Sequence, residues 1–135
     1  MIITFFTYEV YQLDFIQKLS NQFNIQLNDE QIKAVTHYGG PALVLAGPGS
    51  GKTTVITART AYLIFEKGCN PSRILTLTFN KAAKQEMEHR FNTVFSDVLD
   101  EKIHYATFHS LCYQIVRDYE RRQNSKFRLI EEEKD

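Results

Sequence analysis

Ala42-Leu43-Val44-Leu45-Ala46-Gly47-Pro48-Gly49-Ser50-Gly51-Lys52-Thr53-Thr54 reads as a strand, a glycine-rich turn and the first turn of a helix. The apolar run Ala42 to Ala46 is short and bounded by turn residues, which suits a buried parallel strand covered on both faces. Gly47, Gly49 and Gly51 then let the loop turn its amide N–H groups toward one point. A phosphate fits such a cradle, and a helix starting near Lys52 adds the positive end of its dipole. In the pattern G-x-x-x-x-G-K-[ST], Lys52 reaches the β- and γ-phosphates and the Thr53 hydroxyl meets a magnesium ion. Ala46 stands where that pattern has its first glycine, and it is small enough because the later glycines make the close approach. Residues Ala46, Gly47, Pro48, Gly49, Ser50, Gly51, Lys52, Thr53 and Thr54 are therefore the expected nucleotide-binding segment, with Lys52 and Thr53 as its catalytic pair. The competing reading is a glycine-rich surface turn that happens to precede a lysine. Strand, loop and helix in this order favour a bound nucleoside triphosphate.

Working outward, Leu27 to Val35 reads as a helix with Asn28 as its N-cap and Gln31 at the third helical position, a capping box. The Gln31 amide can equally donate to and accept from an adenine edge. His37-Tyr38-Gly39-Gly40-Pro41 turns the chain into the phosphate-binding strand. Upstream, Ile2 to Phe6 reads as a short strand. A helix follows, striped by Val10, Leu13, Ile16, Leu19 and Phe23. Downstream, Val55, Ala58, Tyr62 and Phe65 keep helical spacing until Gly68. Arg73 to Phe79 reads as a second strand, followed by a helix with a buried stripe of Ala83, Met87, Phe91 and Val94. Lys102 to Thr107 reads as a third strand. A last helix carries Phe108, Leu111, Cys112, Ile115 and Tyr119 until Asn124-Ser125. Strands alternating with helices predict βαβ units and a parallel sheet.

Composition narrows the classes. At 135 residues, 43% hydrophobic and 24% charged, the chain is one globular domain's worth. Lys+Arg and Asp+Glu both number 16, so total charge neither favours nor excludes a nucleic-acid partner. Two cysteines, Cys69 and Cys112, lack neighbouring ligand pairs and indicate neither a zinc site nor a disulfide framework. No apolar run approaches a membrane span. Met1 to Phe6 lacks a basic leader, so a cytoplasmic protein without a membrane partner is expected.

Ligands of open α/β sheets gather at the carboxyl ends of the strands. Beyond the phosphate loop, two such ends carry Thr78-Phe79-Asn80-Lys81 and Thr107-Phe108-His109. Phe79 and Phe108 can stack on bases while Thr, Asn and Lys side chains touch phosphates, as in grips on single strands. The same residues equally suit core filling and helix capping. Lys81, Lys84 and Arg90 read as a solvated helix face, and Arg59 as one half of an exposed ion pair. Nucleotide hydrolysis needs an Asp at a strand end and a Glu to orient water. Neither Phe127 to Glu132 nor Phe95 to Glu101 fits that pattern.

Four segments now stand in order: Leu27 to Val35, Ala46 to Thr53, Leu77 to Met87, and Ala106 to Cys112. This order resembles the N-terminal end of superfamily 1 DNA helicases of the UvrD/Rep type, their Q motif and motifs I, Ia and Ib. The resemblance implies a P-loop NTPase (RecA-like) α/β fold, its parallel sheet flanked by helices and incomplete relative to the family domain. It implies ATP and magnesium as cofactors, with Gln31 on adenine and Lys52 and Thr53 on phosphate and metal. It implies single-stranded DNA along Thr78, Phe79, Asn80 and Lys81 and along Thr107, Phe108 and His109. Residues 1–26 form an extension outside it, 27–130 the N-terminal part of the first motor domain, and 131–135 an acidic tail. The family's Asp-Glu motif, arginine finger and second motor domain have no counterpart in these residues. The expectation is an ATP-binding piece of a 3′-to-5′ helicase, inactive alone and partnered by the remainder of the motor. A sheet edge left open by that gap would invite self-association, or residues 1 to 6 would fold back to cover it. The alternatives are a stand-alone nucleotide-binding module without turnover, and a small P-loop kinase.

Overall fold

Helix α3 (Lys52–Phe65) is the central element, and its sequence explains why. It contains no Gly or Pro. Its small residues Ala58 and Ala61 are fully buried, which lets neighbouring helices approach closely. The computed structural model describes residues 14–99 and 103–127, which form five α-helices and one pair of strands.

Around α3 pack helix α1 (residues 14–23), α2 (Asp29–Thr36) and α4 (Lys81–Phe95). Phe15 and Leu19 from α1, Val35 from α2, Tyr62 from α3, and Phe91 and Phe95 from α4 make the core with Ile103 and Tyr105. Aromatic rings dominate it. Phe15 meets Tyr62 edge-on at 5.4 Å, and Phe95 lies 4.7 Å from Phe23 and 4.8 Å from Phe91. The sequence stripe of α4 names Phe91 and Val94 but misses Phe95, the more deeply buried of its last residues. Helix α1 ends at Asn24, whose left-handed φ of 51° lets the Ile25 amide return to the Leu19 carbonyl at 2.9 Å. The expected strand Ile2 to Phe6, with Val10 and Leu13, falls outside the described residues.

Strands β1 (Leu75–Thr78) and β2 (His104–Thr107) pair in parallel, Leu75 opposite His104 and Thr78 opposite Thr107. Both are shorter than the sequence pattern predicts. Pro71–Arg73 is a 3₁₀ turn whose Ser72 amide donates to the Asn70 side chain. Helix α5 (Phe108–Gln123) follows β2 directly.

The expected first strand does not form. Residues 42–46 form no strand: Leu43 is 85% and Leu45 87% exposed. A strand needs a neighbour for its N–H and C=O groups, and the one sheet among the described residues is the pair β1–β2. Helix α5 forms where its apolar residues mark it, and most of them lie in solvent. Phe108, Cys112, Ile115 and Tyr119 are exposed, and the buried residue of this helix is Glu120.

Glu120 fastens the end of α5. It is 6% exposed, and its carboxylate accepts from the Phe127 amide at 2.6 Å and the Arg117 guanidinium at 2.8 Å. Asn124 adopts φ 48°, reversing the chain so that Phe127 reaches back. The Phe127 hydrogen bond, with Arg117 behind it, holds the Glu120 carboxyl below its ordinary range.

Candidate functional site

The loop between residues 46 and 52 turns at Gly49 (φ 74°) and Gly51 (φ 76°), both left-handed. Gly51 is the N-cap of α3, so no side chain caps the helix, and its first turn holds no acidic residue. The first amides of α3 and the positive end of its dipole are therefore open to an anion. Lys52 is exposed and donates to the Gly47 carbonyl at 2.7 Å, spanning the loop it follows. Ala46, Pro48 and Ser50 are exposed beside it. Thr53 is half-buried, its carbonyl accepting from Thr57. The Thr54 hydroxyl oxygen accepts from Arg90 of α4 at 2.9 Å. Arg90 is exposed, as expected of a solvated helix face, and adds this contact to α3.

A cavity of about 820 Å³ opens beside the loop, lined by Gln31, Gly47, Ser50 and Lys52 and by apolar residues of α3 and β1. That volume suits a small-molecule ligand. Glu30 is the one carboxylate among the described residues on its wall. Arg59 also lines it, donating to the Val35 carbonyl at 2.7 Å and lying 5.7 Å from the Tyr62 ring centre. Arg59 thus caps the last turn of α2 and is not the expected ion pair.

Gln31 forms the capping box read from the sequence. Its backbone N–H donates to Asn28 Oδ1 at 2.9 Å, and its Oε1 accepts from the Asn28 amide at 3.0 Å. Its Nε2 makes a bond the sequence does not announce, donating to the Ser50 carbonyl at 3.0 Å.

At the strand ends, the seven predicted nucleic-acid residues divide. Thr78 is buried and donates to the Asn80 carbonyl at 3.0 Å. Asn80 caps α4 by accepting from the Ala83 amide at 2.8 Å. Thr107 caps α5 in a reciprocal box with Ser110. These three hold the backbone. Phe79 (81% exposed), Phe108 (52% exposed), Lys81 and His109 face outward. Helix α4 joins the two regions, with Asn80 at its head and Arg90 on Thr54. Among the described residues, no group of three or more His, Cys, Asp or Glu side chains is placed to hold a metal. No helix among them is long and apolar enough to cross a membrane.

Helices packed around α3 beside a parallel strand pair, with a glycine-turned loop opening onto a bare helix N-terminus, define a mixed α/β protein. Residues 27–135 match the UvrD/REP helicase N-terminal domain family, and the chain belongs to it. It is 44% identical over 99 residues to ATP-dependent DNA helicase PcrA of Bacillus subtilis (strain 168), a match covering 73% of this chain and 13% of that protein. ATP-dependent DNA helicase UvrD1 of Mycobacterium leprae (strain TN) is 44% identical over 92 residues, 68% of this chain and 12% of that protein. PcrA of Staphylococcus aureus (strain Mu50 / ATCC 700699) is 45% identical over 91 residues, 67% of this chain and 12% of that protein. The chain therefore spans only a small part of the length of these relatives.

Proposed function

We propose that this chain supplies the ATP-phosphate site and one wall of the single-stranded DNA path of an ATP-dependent 3′-to-5′ DNA helicase. The observation that carries the reading is the N-terminus of α3, where two left-handed glycines present uncapped amides beside Lys52. The similar proteins are ATP-dependent DNA helicases, which supports ATP and DNA as ligands. In this reading the loop N–H groups of Gly47, Gly49, Ser50 and Gly51 bind phosphate oxygens. Lys52 exchanges its bond to the Gly47 carbonyl for one to phosphate. The Thr53 hydroxyl faces magnesium, which neutralises phosphate charge when bound. Gln31 keeps a free N–H and a free lone pair for adenine beside its internal bonds. Phe79 and Phe108 stack on bases, with Lys81 and His109 beside them.

Residues 27–130 serve as the leading part of the first motor domain of a cytoplasmic protein, and other motor segments complete the site. Among the described residues Glu30 is the one carboxylate on the cavity wall, which supports a chain that binds nucleotide without turning it over, since hydrolysis needs an Asp–Glu pair. A calorimetric titration with magnesium ATP tests the assignment. Lys52→Ala should weaken binding roughly 10- to 150-fold, the worth of one charge-assisted hydrogen bond. Equal binding by the two proteins would sink it.

A further inference from the structure

Gly51 carries no side chain with which to fix the start of α3, yet the peptide before it is held from outside. Gln31, 19 residues upstream of Ser50, donates its Nε2 to the Ser50 carbonyl at 3.0 Å. A trans peptide directs its C=O and N–H to opposite sides. Holding the Ser50 carbonyl toward α2 therefore turns the Gly51 N–H away from α2. The fit is close: a Cβ on Gly51 would lie 3.0 Å from Gln31 Nε2, and φ there is +76°. Gln31 is itself fixed, because its Oε1 is engaged with the Asn28 amide at 3.0 Å. One amide thus closes the cap of α2 with its oxygen and clamps the loop with its nitrogen.

We propose that Gln31 is a positioning residue for the phosphate loop, acting on phosphate affinity itself as well as on choice of base. The proposal rests on reading the loop as a phosphate site. A residue that only reads the base leaves a ligand without a base unaffected, whereas a clamp on the Ser50–Gly51 peptide affects every ligand of the loop.

Two measurements test it on the whole chain. The first is amide hydrogen exchange of residues 47–52 without ligand, in wild type, Gln31→Glu, Gln31→Ala and Asn28→Ala. Gln31→Glu keeps an acceptor for the Asn28 amide and loses the donor to Ser50, while Asn28→Ala opens the cap and leaves the clamp. Loop exchange should quicken about 2- to 12-fold in both Gln31 variants, the range of one neutral hydrogen bond. It should be unchanged in Asn28→Ala, and α2 should exchange normally in Gln31→Glu. The second measurement is calorimetry with magnesium tripolyphosphate, where Gln31→Ala should bind more weakly by a similar factor. Loop exchange equal to wild type in both Gln31 variants, or unchanged tripolyphosphate affinity, overturns the proposal. Wild-type protein that binds no tripolyphosphate refutes the phosphate-site reading, and the ligand-free exchange then still decides whether Gln31 clamps the loop.

Discussion

Thr78 lies directly opposite Thr107 across the parallel pair, and each is followed by an exposed phenylalanine. Phe79 and Phe108 therefore leave the sheet at the same end, from strands about 4.8 Å apart. Each threonine is buried and hydrogen-bonded, so the backbone that presents the rings is fixed while the rings stay in solvent.

Phe79→Ala and Phe108→Ala should each weaken binding of single-stranded oligonucleotide. Base stacking on an aromatic side chain contributes roughly 1–3 kcal/mol, or about 5- to 150-fold. Fluorescence anisotropy at several salt concentrations reads this, and wild-type affinity should fall steeply with salt. Melting temperatures should move little, because neither ring is in the core. Unchanged anisotropy in both variants would remove DNA from this surface.

Phe95→Ala should be severely destabilising. Its ring contacts Phe23, Phe65 and Phe91, and truncating a buried phenylalanine typically costs about 3–5 kcal/mol. Chemical denaturation followed by circular dichroism measures the loss. A cost below about 1 kcal/mol would mean that the core is not organised around this residue.

The Glu120 carboxyl titrates lower in the folded chain than in the unfolded one, where a glutamate ionises near about 4.3. Its contribution is therefore present above about pH 4.3 and lost as pH falls through the folded value. Melting curves between pH 7 and pH 3 should fall more steeply for wild type than for Glu120→Gln, which has no charge to lose. Parallel curves would show that the bonds to Phe127 and Arg117 do not depend on the charge.

Exposed leucines on a segment with no strand beside it among the described residues favour pairing with another chain. Sedimentation velocity should show association that grows with protein concentration and that Leu43→Lys with Leu45→Lys reduces. A wild-type chain that stays monomeric at high concentration would contradict this expectation.

The elements legible in the sequence are those whose signals are local. Asn28 with Gln31 marks the start of α2, and Asn80 the start of α4, because a cap is made within four residues. The left-handed turns at Gly49 and Gly51 are legible for the same reason, since φ is a property of one residue. Pairing is not local. Ala42 to Ala46 has the composition of a buried strand, but composition cannot say what lies beside it. The spacing of Phe108, Leu111, Cys112, Ile115 and Tyr119 does mark α5, since helical period is a local signal. Three contacts escaped because their partners are remote in sequence: Gln31 with Ser50, Arg59 with Val35, and Arg90 with Thr54. The buried Glu120 had one sequence signal, Asn124, a residue suited to the left-handed turn that returns Phe127 to it.

Mechanically, the glycine-turned loop before α3 is a cantilever. Its downstream end is built into α3, whose Ala58, Ala61 and Tyr62 are locked in the core, while its upstream end runs into a segment with no strand beside it among the described residues. A load applied at Lys52 is therefore borne by α3, with little shared by residues 42–46. Whatever grips Leu43 and Leu45 turns the cantilever into a beam fixed at both ends. The stiffness of the loop is then set as much by that grip as by the glycines within it.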